Sequence, residues 1–185
     1  MGREGGRRRP LTLVAVAVAT ALVALGLYWF EPWKLWQDER VSEALPASAP
    51  GNPGGGAGSA SAAPAQPSPR TVAQGSLISH EHTTTGTVKI VRLPDGSHTL
   101  RLEGLDTSNG PDLRVWLTDA PVKEGTAGWR VFDDGKYVSL GKLKGNKGDQ
   151  NYPIPADVKL SEYSSVTIWC DRFDVSFGAA ALTST

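Results

Sequence analysis

From Leu11 to Phe30 the chain reads LTLVAVAVATALVALGLYWF, twenty residues without a charge. A helix rising about 1.5 Å per residue covers roughly 30 Å over such a run, the depth of a bilayer's hydrocarbon core. No other feature constrains the chain as much, because a membrane-crossing segment puts the residues on its two sides in different compartments. Arg3, Arg7, Arg8 and Arg9 stand before it with only Glu4 against them, and a positive flank of this kind stays in the cytoplasm. The expectation is a transmembrane signal anchor at 11–30, a basic cytoplasmic N-terminus at 1–10, and an extracytoplasmic remainder, which makes a single-pass protein of the cell membrane. Tyr28, Trp29, Phe30, Trp33 and Trp36 gather at the far end, where amphipathic rings favour the headgroup layer. A cleaved secretory signal is the competing reading. Against it, the apolar run exceeds the usual core of such signals and no A-x-A site directly succeeds it.

Past a short charged patch from Gln37 to Glu43, the run ALPASAPGNPGGGAGSASAAPAQPSPR is almost wholly Ala, Pro, Ser and Gly. It holds too little apolar bulk to offset the entropy of ordering it. Residues 31–70 therefore read as a disordered linker, whose low-complexity part reaches roughly 25–30 Å as a coil. A domain beyond it would be tethered to the membrane and mobile.

That domain falls at 71–185. Period-two alternation of β-branched and apolar residues marks strands at Gly75–Ser79, Gly86–Leu93 and Ser97–Leu105, with Pro94-Asp95-Gly96 as a tight turn joining the last two in a hairpin. Leu113–Leu117, Tyr137–Leu140, Val166–Cys170 and Val175–Phe177 supply further short strands, and a polar loop runs from Thr118 to Gly135. No long segment shows the helical period, so the fold class is all-β, an antiparallel β-sandwich preceded by one transmembrane helix and a linker. Nineteen basic residues balance nineteen acidic ones, so no summed basic field points to nucleic acid. Cys170 is the one cysteine, which excludes an intrachain disulfide and leaves stability to the core.

Glu81-His82-Thr83 with Gly86 shortly after, then Thr107 to Leu113 (TSNGPDL), then Leu140 to Pro155 (LGKLKGNKGDQNYPIP), Tyr163, Ile168-Trp169-Cys170 and Phe177-Gly178 occur in an order that resembles the DM-thirteen domain, the proposed electron-transfer domain of Skeletor-type proteins. Each motif alone is weak; the ordered set, over residues 75–182, is specific. The resemblance implies a β-sandwich-type domain with a proposed redox role centred on a family cysteine that matches Cys170. Membrane-anchored bacterial proteins with this domain after an Ala/Pro/Ser linker look like this chain, in agreement with the topology read from the residues.

Three residues carry the chemical expectations. Alternation puts Cys170 on the face of Val166 and Ile168, where a thiol acts as a small hydrophobe; the alternative is a reactive or ligating thiolate at the strand end, with Arg172 or an imidazole lowering its pKa. His82 and His80 share a face of an extended segment at a spacing that can chelate, and haem or a copper or iron ion is a conceivable cofactor if His82 and Cys170 converge. Asp112, held after Asn109-Gly110-Pro111, either closes its turn or contacts a cofactor. Trp116, Trp129 and Trp169, with Tyr137 and Tyr152, form a candidate stacking platform, since Trp116 and Trp169 differ in parity from the apolar residues beside them. No G-x-S-x-G, H-E-x-x-H, C-x-x-C or dinucleotide glycine motif is present, which argues against a hydrolase or a nicotinamide enzyme. Two functions are consistent with these residues: an electron-transfer accessory centred on Cys170 with an extracytoplasmic redox partner, or a non-catalytic module binding a cell-envelope component.

Overall fold

A computed structural model of the chain describes residues 8–33, 37–46 and 68–185. The expectations resting on Arg3, Arg7 and Trp36, and on linker residues 47–67, lie outside that range. Helix α1 covers Arg8–Phe30. Within it Thr12–Phe30 is long and apolar enough to cross a membrane by length and composition. In its interior Thr20 donates to the Val16 carbonyl at 2.9 Å, so this hydroxyl is satisfied within the apolar surface. Glu31 then takes a left-handed backbone, φ 40°, and the helix stops.

The domain's described elements are strands, with short 3-10 turns at Gly125–Gly128 and Leu160–Glu162 among them. Six strands form one sheet: β1 (Arg40–Ser42), β2 (Arg70–Ser76), β4 (Thr85–Arg92), β5 (His98–Asp106), β8 (Lys147–Ile154) and β11 (Thr183–Ser184), in the order β1-β8-β5-β4-β2-β11. Five form the other: β3 (Ile78–Ser79), β6 (Leu113–Thr118), β7 (Tyr137–Lys142), β9 (Ser165–Cys170) and β10 (Val175–Ala181), in the order β3-β10-β9-β6-β7. All pairings but one are antiparallel, which bears out the two-sheet all-β expectation; the exception is β1, which runs parallel to β8.

The core lies between the sheets. Opposed residues on β4 and β5, Val88 with Leu102 and Ile90 with Leu100, face Val115, Leu117, Val166 and Ile168 from the second sheet, all at most 2% exposed. The strand expected at Gly75–Ser79 breaks at Leu77, which is buried in this core, so β2 stays in the first sheet while β3 joins the second. Strand β8 was legible only as a glycine turn and rigid edge. It carries Pro153 without loss because β1 pairs with Lys147–Asp149 alone, leaving that side of Pro153 free of a ladder partner.

Two departures from expectation matter for the site. First, the patch at 37–46, expected to be part of a disordered linker, is docked. Glu39 N–H donates to Asn146 Oδ1 at 2.6 Å, Lys144 Nζ meets both Glu43 carboxylate oxygens at 2.7 and 3.0 Å, and Arg101 donates to the Glu43 carbonyl at 3.0 Å. Second, neither Trp116 nor Trp169 faces solvent: they are 4% and 1% exposed. The loop after β6 folds back over the outer face of the second sheet, where fully buried Phe132 meets Trp169 edge-on at 6.4 Å and Trp116 stacks between Trp169 (5.0 Å) and Tyr137 (4.0 Å). The second sheet is thus buried on both faces, and the parity argument fails because it assumes one face is wet. Tyr152 is also buried, its hydroxyl donating to Gln150 Oε1 at 2.6 Å, so the expected platform is not assembled.

Candidate functional site

Cys170 ends β9, paired with Leu113 of β6 and Val175 of β10. Its side chain is fully buried in the main core with Val166 and Ile168, where alternation puts it. Burial pushes the thiol pKa up; backbone N–H groups of Arg172, Phe173 and Asp112 around the sulphur pull it the other way, and burial prevails. The Arg172 guanidinium is engaged elsewhere: it donates to the Trp29 carbonyl and lies over the Trp29 ring, 5.5 Å from its centroid. The residue is a protonated core thiol at neutral pH.

The two histidines diverge. His80 is buried, its Nε2 donating to the Lys123 carbonyl at 3.0 Å and its Nδ1 2.7 Å from the Ser176 hydroxyl, which in turn lies 2.8 Å from the Thr167 hydroxyl. A carbonyl can only accept, so the proton sits on Nε2 and Ser176 donates to Nδ1. Burial lowers the pKa of His80, with the Lys123 carbonyl opposing. This is a satisfied core histidine, and the His–Ser pair is sealed from substrate. His82 instead lies half-exposed against Phe177, ring centroids 3.9 Å apart and planes at 34°. Burial lowers its pKa too, Glu81 at 3.9 Å from Nε2 opposing, which leaves a neutral imidazole with one donor and one acceptor nitrogen.

Asp112 directs its carboxylate to Arg114 Nη2 at 3.2 Å and Lys142 Nζ at 3.6 Å, and its carbonyl accepts from Asp171 N–H at 2.9 Å. It closes the end of β6 against the β9–β10 turn. Among the described residues no three of His, Cys, Asp and Glu gather as a metal-holding group. The donor set of a buried, protonated Cys170, a His82 turned onto Phe177 and an ion-paired Asp112 therefore does not fit haem or a copper or iron ion.

One of these residues borders an open feature. At the end of the sandwich where the β9–β10 turn follows Cys170, a cavity of about 320 Å³ is lined by Phe177, His82, Gly110, Pro111, Phe173 and Phe30, with the carboxylates of Glu81 and Glu31. Phe30 ends α1 and stacks on Phe173 of the β9–β10 turn at 5.9 Å, so helix and domain build the cavity together. A Cβ at Gly110 would sit 3.0 Å from the Phe177 ring, so glycine is what lets the ring lie where His82 covers it. Sequence reasoning found His82 and the Asn109-Gly110-Pro111 turn but missed Phe173 and Phe177. The one available signal was the aromatic cluster from Tyr28 to Trp36 that includes Phe30, read only as a membrane belt.

No curated protein and no solved structure matches the chain. Residues 76–182 match the family described as Electron transfer DM13, a span that runs from the end of β2 to the residue before β11 and takes in Cys170, His82, Asp112 and the domain side of the cavity. The order of motifs and the two-sheet fold agree with it, and the chain belongs to the electron transfer DM13 family.

Proposed function

We propose that this chain is a membrane-held electron-transfer accessory whose domain stands on the non-cytoplasmic side and exchanges electrons with an extracytoplasmic redox partner at the Cys170 end of the sandwich. The family assignment over 76–182 carries the reading. It is supported by the shared cavity, which brings the last turn of an apolar helix against the turn after Cys170. Cys170 lies in this reading at the centre of the redox-active end, fully buried in the core that it shares with Phe177. The test is a spectroelectrochemical titration and metal analysis of the natively purified full-length protein beside Cys170→Ser. A redox-active species whose midpoint or amplitude changes in the variant is expected. A colourless, metal-free protein that takes up no electrons and behaves as its variant does would overturn the reading.

One observation favours a second reading: the thiol is closed while the cavity at the β9–β10 turn is open. A non-catalytic module that binds an envelope ligand or protein uses the cavity and needs no reactive sulphur. Capture of a defined envelope component by the wild type, unchanged in Cys170→Ser, would favour it.

A further inference from the structure

The cavity's walls come from four places in the chain. Phe30, with Glu31 and Pro32 after it, comes from the end of the apolar helix; Phe173 comes from the β9–β10 turn and Phe177 from β10 itself; Glu81 and His82 come from the bend after β3, and Gly110 and Pro111 from the turn before β6. Three phenyl rings and an imidazole form a lining suited to a flat ring, because aromatic faces and edges pack on π systems in defined orientations. The polar groups are few: the neutral imidazole of His82, which can donate or accept, and the carboxylates of Glu81 and Glu31, which accept. A lipid acyl chain would have no use for them, and a sugar would leave most of its hydroxyls unpaired. The volume lies at the small end of ligand pockets, roughly 300–1,000 Å³, which suits one or two fused rings and not a macrocycle.

Position selects among flat, carbonyl-bearing rings. Phe30 and Trp29 belong to the last turn of α1, so a ligand entering beside them comes from the layer in which that helix ends. We propose that the cavity binds the ring of a membrane-borne quinone, with His82 hydrogen-bonded to a ring oxygen, the phenyl rings of Phe30, Phe173 and Phe177 packed around the ring, and the isoprenoid tail left in the lipid along α1. This rests on the reading that α1 crosses the membrane and carries the domain at its outer end. Neutral His82 donates to a quinone carbonyl, and both its acceptor nitrogen and Glu81 can receive a quinol hydroxyl, so the site has a partner for either form of the ring.

The experiment uses full-length protein in lipid nanodiscs and decylubiquinone as the probe, read by quenching of tryptophan fluorescence, since Trp29 adjoins the cavity residue Phe30 in the last turn of α1. Saturable quenching is expected for the wild type. His82→Phe keeps a ring against Phe177 and removes the hydrogen bond, and weakens binding about 5- to 10-fold. Phe173→Ala acts where folding is not at risk, because Phe173 is 37% exposed in a turn; it weakens binding at least several-fold and decides the matter if His82→Phe fails to fold. Linear, unsaturable quenching that is equal in all three proteins is simple partition into the bilayer and overturns the proposal. Alkaline extraction of the source membranes separates the two levels: an anchored protein without saturable binding overturns the pocket alone, whereas release of the intact protein overturns the anchoring on which it rests.

Discussion

The backbone of Val41 passes over Gly148 so closely that a Cβ built on Gly148 would stand 2.0 Å from the Val41 carbonyl oxygen. Gly145 is constrained in the same way, its Cβ meeting the Glu39 carbonyl oxygen at 2.4 Å, and Gly148 also has a left-handed φ of 96°. These glycines admit a parallel edge strand supplied by residues that precede the family match.

Gly148→Ala should therefore displace β1. The expected cost is about 1–3 kcal/mol from overpacking and the left-handed backbone. Hydrogen exchange read by mass spectrometry checks it: the amides of 40–42 should lose protection while those of β9 keep theirs. Unchanged protection at 40–42 would contradict the close approach.

Strand positions inside the sandwich were legible because alternation and the Pro94-Asp95-Gly96 turn are local signals. Val88, Ile90, Leu100, Leu102 and Cys170 all face where period two puts them. What was not legible depends on distant partners. Arg40–Ser42 has no strand signature; it is a strand because Asn146, Lys144 and two glycines receive it. Alternation left at least one of Trp116 and Trp169 open to solvent, because nothing local announces that Phe132, thirty-seven residues before Trp169, will fold back over them. At the site, His82 could be named, but its wall of Phe177 and Phe173 forms only when β9 and β10 pair.

Phe132 sits in a loop yet is fully buried over the second sheet. Phe132→Ala should destabilise the domain by about 3–5 kcal/mol, a core-sized penalty. Urea unfolding monitored by tryptophan fluorescence measures it, and a loss below about 1 kcal/mol would show that the loop does not seal that face.

Cys170 should resist alkylation at pH 8 until denaturant is added, as mass spectrometry of the labelled protein would show. Its pKa is raised above the ordinary 9.0, and that of Tyr152 above 10.0, in both cases chiefly by burial. A raised pKa gives stability that is complete below the unfolded-state value and lost as pH climbs above it, because the unfolded chain ionises first. Stability should thus fall from about pH 9 upward. Cys170→Ala should remove the earlier part of the fall and leave the part that begins near pH 10, as denaturation midpoints between pH 7 and 11 would reveal.

His80 and His82 give the opposite limb. Burial depresses both below the ordinary 6.5, so the unfolded chain takes up protons first and stability declines as pH drops beneath that value. Urea midpoints from pH 7.5 to 5 should fall, and fall less steeply in His82→Phe. Equal slopes would mean that His82 is solvated as fully in the folded chain as in the unfolded one.

The docking of β1 changes what the Ala/Pro/Ser/Gly run can be. Residues 46 and 68 both belong to the same sandwich, beside strands four places apart in one sheet, which is roughly 19 Å at the usual strand spacing. The segments on both sides of the run are thus fixed on one body, and its length does not set the distance between helix and sandwich. The contact between helix and sandwich is made elsewhere, where Phe30 at the end of α1 stacks on Phe173 at 5.9 Å, so the stretch that looked like a measure of reach does not separate the two.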